Sequence, residues 1–204
     1  MSPSPLPPLW IARHGQTDLN IDERWQGRLD PPLNALGLAQ ADALAARWRP
    51  ADTPSALPRL RRIVCSPQLR ARQTAAPLAQ ALGLEVVLDA RFRERDFGIF
   101  EGLTAAEALA RHPEAARAQV AWRWDRSPEG AEAVQAVVDR VAEGLQALRA
   151  EAALAQAQGS PGAVLVVCHG FVVRCLRHLL DGVSAEDFFT QTRLGNGEVL
   201  SLAW

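Results

Sequence analysis

Three short apolar runs each stop abruptly at a polar motif, and this pattern constrains the fold more than any other feature of the chain. Leu9-Trp10-Ile11-Ala12 gives way to Arg13-His14-Gly15, Ile63-Val64-Cys65 to Ser66-Pro67, and the run from Ala163 to Val167 to Cys168-His169-Gly170. The third run has no polar residue at either parity. A half-solvated strand would alternate, so this one is expected inside a parallel sheet covered on both faces. Helical periodicity fills the intervals. Leu38, Ala41, Leu44, Ala45 and Trp48 recur at helix spacing over 37–48, with Pro50 beyond. A second helix is expected over 69–82 with Gly83 as its stop, and a fourth over 171–180. The third and clearest spans 131–150, where Val134, Val137, Val138, Val141, Leu145 and Leu148 share a face. Segments 85–88 and 198–204 are further strand candidates, and the middle of the chain reads as loop and short helices. Alternating strands and helices predict one α/β domain with a largely parallel sheet.

Composition narrows the partners. A chain of 204 residues buries a core without disulfides or metal. Its formal net charge of -1 provides no global positive field for nucleic acid or a membrane surface, so neither is expected as a partner. All 22 cations are arginines, because the sequence contains no lysine. Schiff-base chemistry, a lysine nucleophile and a Walker A loop are thereby excluded, whereas guanidinium forks suit carboxylates and phosphates. No apolar run is long enough to span a bilayer. Residues 1–8 are expected to be a proline-rich flexible leader without signal-peptide features, and residues 9–204 a single domain. The stretch 49–61, with Pro50, Pro54 and Pro58, reads as a surface connection. Cys65, Cys168 and Cys175 lack paired metal spacing, which fits free thiols in a reducing, cytoplasmic compartment. Oligomeric state is left open, a homodimer included.

In a doubly wound sheet, ligands bind beyond the carboxyl ends of the strands. Arg13, His14, Arg70 and His169 gathered there would form a compact cationic site for a dianion, with phosphate the obvious guest. These residues belong to an ordered series. It comprises Arg13-His14-Gly15-Gln16-Thr17 with Asn20; Gln26-Gly27; Pro32-Leu33-Asn34 with Gly37 and Gln40; Ser66-Pro67-Gln68-Leu69-Arg70-Ala71-Arg72-Gln73-Thr74-Ala75; Glu94 ahead of Phe97-Gly98 and Glu101-Gly102-Leu103; and Cys168-His169-Gly170. The series resembles the histidine phosphatase superfamily, also called phosphoglycerate mutase-like, from residue 9 to about residue 204.

The resemblance implies a three-layer α/β/α sandwich and a phosphohistidine intermediate on His14. Arg13 and Arg70 would hold the phosphoryl oxygens and lower the proton affinity of His14, which must be neutral to attack. His169 would donate to the same oxygens, joined by the amides near Gly170 at a helix start. Glu94 would protonate the leaving group and then activate water, with Asp96 and Glu101 as neighbouring alternatives. Asn20 matches a phosphate-contacting position, and Gln26 and Gly27 match substrate-contacting ones. No metal or other cofactor is implied: the candidate ligands lack clustered spacing, and arginines would repel a cation.

Other readings compete at particular residues. Cys168 and Arg174 have the spacing of cysteine-dependent phosphatases, but Phe171 and two valines stand where that loop usually has glycine. A catalytically silent binding relative would usually lack a member of the core set, and here all are present. Mutase relatives carry a lysine where this chain aligns Ala105, and an adjacent cation pair where Arg123 and Arg126 alternate with Trp122 and Trp124. Hydrolysis of a small phosphorylated metabolite is therefore expected, with cofactor-dependent phosphoglycerate mutase as runner-up. Trp25, Trp122 and Trp124 are either a substrate wall or buried structural residues. His112 and His178 are expected to be structural, and Arg111, Arg117, Arg140 and Arg149 to be solvated helix charges.

Overall fold

In the computed structural model, residues 5–48 and 57–204 are described; most of the expected proline-rich connection and half of the expected leader lie outside them. Among the described residues, β1 (Leu9–Arg13), β2 (Leu60–Cys65), β3 (Val86–Leu88), β4 (Ala163–Cys168) and β5 (Val199–Leu202) form one sheet in the order β3-β2-β4-β1-β5. The first four run parallel, and β5 pairs antiparallel with β1 at the edge. The helices are α1 (Asp18–Ile21), α2 (Ala35–Trp48), α3 (Leu69–Leu82), α4 (Ala105–Arg111), α5 (Pro113–Arg117), α6 (Val134–Ala157) and α7 (Gly170–Leu180).

The two-residue period of the strands divides the core in two. Leu9, Ile11, Val64, Val164 and Val166 pack with α6, α7, Phe92 and Phe100 on one face. Ala12, Ile63, Cys65, Ala163, Leu165 and Val167 pack with α2 and α3 on the other. Every residue of β4 is buried, as its unbroken apolar run requires. The result is the three-layer arrangement, and the helices expected at 69–82 and 171–180 are found nearly as read. Helix α2 begins two residues earlier than its apolar pattern, where Asn34 Oδ1 accepts from Gly37 N at 2.9 Å. The expected helix at 131–150 starts three residues later and continues to Ala157, because Ala152 and Ala155 prolong its buried stripe. No helix of the described residues is long and apolar enough to cross a membrane.

Register then positions the site. Arg13 lies opposite Cys168, and Cys65 opposite Val167, so the residues that follow β1, β4 and β2 emerge side by side. Adjacent strands lie about 4.8 Å apart. The rings of His14 and His169 accordingly lie with centroids 5.2 Å apart, tilted by 55°, and Ser66 Oγ reaches His169 Nε2 at 2.7 Å.

Candidate active site

His14 is buried, with 3% exposure, and its amide donates to Cys168 O at 2.9 Å. Its Nδ1 lies 2.7 Å from the Gly15 carbonyl oxygen. A carbonyl only accepts, so Nδ1 carries the hydrogen and Nε2 is left with its lone pair. Burial, then the Arg70 and Arg13 guanidinium groups, push the imidazole pKa well below its ordinary range; the Gly15 carbonyl opposes them without prevailing. His169 is also held well below its ordinary range by burial and by Arg70, His14 and Arg13. Its Nδ1 is buried and has no hydrogen-bond partner among the described residues.

The two arginines are anchored by main-chain carbonyls. Arg70, fully buried, donates from Nη1 to Leu29 O at 2.7 Å and from Nη2 to Gly27 O at 3.1 Å. Arg13 Nη1 donates to Leu194 O at 2.8 Å. The Nε atoms of both are buried without a partner among the described residues, which is costly unless an anion completes them. Gly27 belongs to this anchoring. Its φ is +48°, and a Cβ there would fall 1.8 Å from Glu101 Oε1, so a larger residue strains the turn and displaces the Glu101 carboxylate.

Glu94 is 9% exposed. Its Oε1 accepts from Arg95 N at 3.0 Å and its Oε2 from Phe171 N, in the first turn of α7, at 3.4 Å. Burial raises its pKa against the pull of these amides, Arg70 and Arg13. The two neighbouring carboxylates are spent on the backbone. Asp96 Oδ1 accepts from Gly98 N at 2.8 Å, and Glu101 Oε1 from Arg28 N at 2.7 Å and Phe97 N at 3.1 Å.

These groups meet in a cavity of about 530 Å³. Arg13, His14, Asn20, Gln26, Gly27, Arg70, Glu94 and Gly170 line it, whereas Asp96 and Glu101 do not. His169 is not among the lining residues, but its ring centroid is 5.2 Å from that of His14. Asn20 Oδ1 is held by Thr17 N at 3.1 Å and Asn196 Nδ2 at 3.2 Å, and Gln26 Oε1 is buried without a partner. Trp25 and Trp122 form part of the wall; Trp124 instead packs on Phe188 and His178. Gln68 holds the site together from behind, donating from Nε2 to Gly27 O and accepting at Oε1 from Glu94 N, both at 2.8 Å.

The structure bears on several of these expectations, and the absence of a cysteine nucleophile agrees with it. Cys168 turns into the core against α6 and α7 and is absent from the cavity, and burial together with Glu94 holds its thiol far above the usual range. A cysteine nucleophile needs the opposite environment. Arg140 is no solvated helix charge: it donates from Nη1 to Arg91 O at 2.6 Å and Arg93 O at 2.8 Å, bracing the segment that carries Glu94. Arg111, Arg117 and Arg149 are exposed, as read. Arg24, Arg174 and Arg193 also line the cavity, so it is richer in cations than the missing lysine implies. No motif marks them; Arg174 stands out in the sequence only by its spacing from Cys168.

Comparison with known proteins agrees with this geometry. The family described as histidine phosphatase superfamily (branch 1) matches residues 9–204. A bifunctional protein of Mycobacterium tuberculosis is 38% identical over 174 residues, covering 84% of this chain but only 43% of the relative, so the chain spans less than half of that protein. Glucosyl-3-phosphoglycerate phosphatase of Mycolicibacterium vanbaalenii is 34% identical over 200 residues, 96% of this chain and 83% of the relative. A probable phosphoglycerate mutase of Escherichia coli is 33% identical over 178 residues, 87% of this chain and 76% of the relative. Among solved structures, a mycobacterial glucosyl-3-phosphoglycerate phosphatase superposes with a TM-score of 0.77 at 31% identity, covering 94% of this chain and 88% of the other. The α-ribazole phosphatase of Shigella flexneri gives 0.76 at 25% identity, covering 95% and 88%. On sequence, fold and the arrangement at the sheet edge alike, the chain belongs to the histidine phosphatase superfamily, branch 1.

Proposed function

We propose that the protein hydrolyses small phosphomonoesters through a phosphohistidine on His14. The observation that carries this reading is the fixed tautomer of His14. With Nδ1–H committed to Gly15 O, Nε2 faces phosphorus as a neutral nucleophile. Arg13, Arg70 and Asn20 bind the phosphoryl oxygens, and the amide of Gly170 joins them at the start of α7. His169 adds a donor through Nδ1–H when Ser66 donates its hydroxyl hydrogen to Nε2. Gln26 and Gly27 contact the remainder of the substrate.

The reaction has two halves. His14 Nε2 attacks phosphorus, the P–O bond breaks, and the Glu94 carboxyl gives its proton to the departing oxygen. A water molecule then attacks phosphorus and passes a proton to Glu94, while the N–P electron pair returns to His14. The guanidinium groups supply the positive charge that transfer demands, so no metal enters this mechanism. Support for hydrolysis over a mutase comes from the three phosphatases named above and from Ala105 in the cavity wall. Arg123 pairs with Asp125 away from the lining, although the cation count no longer separates the two activities. The free cysteines suit a cytoplasmic setting.

Purified protein assayed with p-nitrophenyl phosphate and a panel of phosphorylated metabolites should release phosphate. Bisphosphoglycerate-dependent interconversion of phosphoglycerates faster than phosphate release would assign the mutase activity instead, and no turnover on any substrate would favour a silent binding protein.

A further inference from the structure

Glu94 lies in an irregular stretch between two short helical turns, Ala90–Phe92 and Gly98–Phe100, so the carbonyls around it need partners from elsewhere. One side chain supplies them. Arg140, on α6, donates from Nη1 to Arg91 O at 2.6 Å and Arg93 O at 2.8 Å, and from Nη2 to Glu94 O at 3.3 Å. Its other donors close on the Glu132 carboxylate, Nε to Oε1 at 2.8 Å and Nη2 to Oε2 at 2.9 Å. A guanidinium has five N–H groups, so every donor of Arg140 is spent.

Glu132 fastens the other end of the same stretch. Its amide donates to Asp96 O at 3.1 Å, and its carbonyl oxygen accepts from Arg95 Nε at 2.9 Å. Segment 91–96 is thereby laced to the start of α6, a helix of 24 residues whose Val137, Val138 and Val141 are buried in the core. Neither Arg140 nor Glu132 lines the cavity. The lacing sets where the Glu94 carboxyl stands relative to the Phe171 amide at the start of α7. The charged and titratable groups that act on this carboxyl are Arg13 of β1, Arg70 of α3, Arg95 of its own stretch, Cys168 of β4, and Arg174 and Cys175 of α7.

We infer that Arg140 and Glu132 are positioning residues for proton transfer: closed on each other, they hold the Glu94 carboxyl at the distance and angle from the leaving oxygen that a general acid requires. Misplacement is expensive in such a step, about 1 Å costing on the order of 10²-fold in rate. The phosphoryl grip is anchored elsewhere, because Arg13 and Arg70 hang on the carbonyls of Leu194, Leu29 and Gly27. Loss of the Arg140–Glu132 pair should therefore impair the acid and spare phosphate binding. The inference rests on the hydrolase reading for the role of Glu94 and on the hydrogen bonds alone for its placement.

Two variants test it. Arg140→Lys keeps the charge without the fork, and Glu132→Gln keeps the shape without the charge on which the fork closes. Arg62→Gln, which unties β2 from Glu151 of the same helix, is the control. Each is assayed with propyl phosphate, whose alkoxide must be protonated, and with p-nitrophenyl phosphate, whose nitrophenolate leaves without a proton. Kd for inorganic phosphate is measured calorimetrically, and Glu94 is titrated by carbon NMR on glutamate-labelled protein, assigned with Glu94→Gln. Both variants should lose kcat/KM on propyl phosphate, by on the order of 10²-fold in Arg140→Lys, and keep both kcat/KM on p-nitrophenyl phosphate and the phosphate Kd. Burial raises the Glu94 pKa, so a loosened carboxyl should titrate lower, and the alkaline limb for propyl phosphate should move to lower pH. Arg62→Gln should change none of these. Equal losses on the two esters with a weakened phosphate Kd would reduce the pair to a fold-stabilising contact, and no loss in either variant would leave it without a role; both results overturn the inference. A lowered Glu94 titration in Arg140→Lys, with no turnover of either ester by the unaltered chain, would uphold the positioning and overturn the hydrolase reading.

Discussion

At the scale of single residues, the proposed chemistry needs His14 neutral while Glu94 is protonated, and burial drives both groups toward those states. The sign of the pH dependence follows. Glu94 donates in the first half-reaction, so kcat/KM falls as pH rises through its pKa, which lies above the ordinary carboxylate value. Glu94→Gln should remove that alkaline limb. It should also slow alkyl phosphates by roughly 10²- to 10⁴-fold, and p-nitrophenyl phosphate far less, because nitrophenolate leaves without a proton. A pH–rate profile in which the limb persists would move the role to another group. Cys168→Ser should retain most activity, its thiol being buried in the core. Arg13, His14 and His169 are legible in the sequence because each lies at or just past a strand end, which topology converts into adjacency. Glu94 is not separable there from Asp96 and Glu101. The distinction lies in which carboxylates the backbone amides of Arg28, Phe97 and Gly98 consume, and that depends on loop geometry.

At the scale of elements, close approach of backbone to backbone fixes how the loop after β1 meets α2. A Cβ on Gly37 would lie 2.1 Å from Gln16 O, so Gly37→Ala should destabilise the fold by about 2–3 kcal/mol. Gly83 closes α3 at φ +63° with nothing within 4 Å, and Gly83→Ala should cost only about 1 kcal/mol, from backbone conformation alone. Chemical denaturation of the two variants checks the contrast; equal losses would remove the steric explanation. A second device is Arg95, fully buried beside Phe97 and Phe171. It donates to Glu132 O at 2.9 Å, Ala121 O at 3.0 Å and Ser127 Oγ at 2.9 Å. Burial lowers its pKa to about 10, yet it stays charged at neutral pH. Arg95→Leu leaves those acceptors unpaired and should cost roughly 2–4 kcal/mol, with proteolysis opening first within 119–132. The strands and long helices are readable because apolar period reports burial directly. The wall from residue 89 to 133 is not, because short helical turns held by arginine-to-carbonyl bonds leave no period.

At the scale of the whole molecule, a net charge of -1 conceals a strongly cationic interior. Stability should reflect that. His14 and His169 have folded pKa values below the unfolded imidazole value of about 6.5, so the native state binds fewer protons than the unfolded chain. Their contribution is complete above that pH and is lost as pH falls below it, by up to about 1.4 kcal/mol per pH unit for each. Glu94 acts in the opposite sense, one group against two. The thermal midpoint should therefore drop between pH 7 and pH 5, and less so in a His14→Gln, His169→Gln double variant.

The central claim is a phosphoryl group carried on His14. Rapid quenching of the protein with a phosphomonoester, denaturation in alkali and peptide mass spectrometry test it directly. An acid-labile phosphoryl group on the peptide containing His14, absent from His14→Ala together with a loss of turnover on the order of 10⁴-fold, is the expected result. Undiminished turnover in His14→Ala, or a phosphoryl group recovered on Cys168, would contradict it.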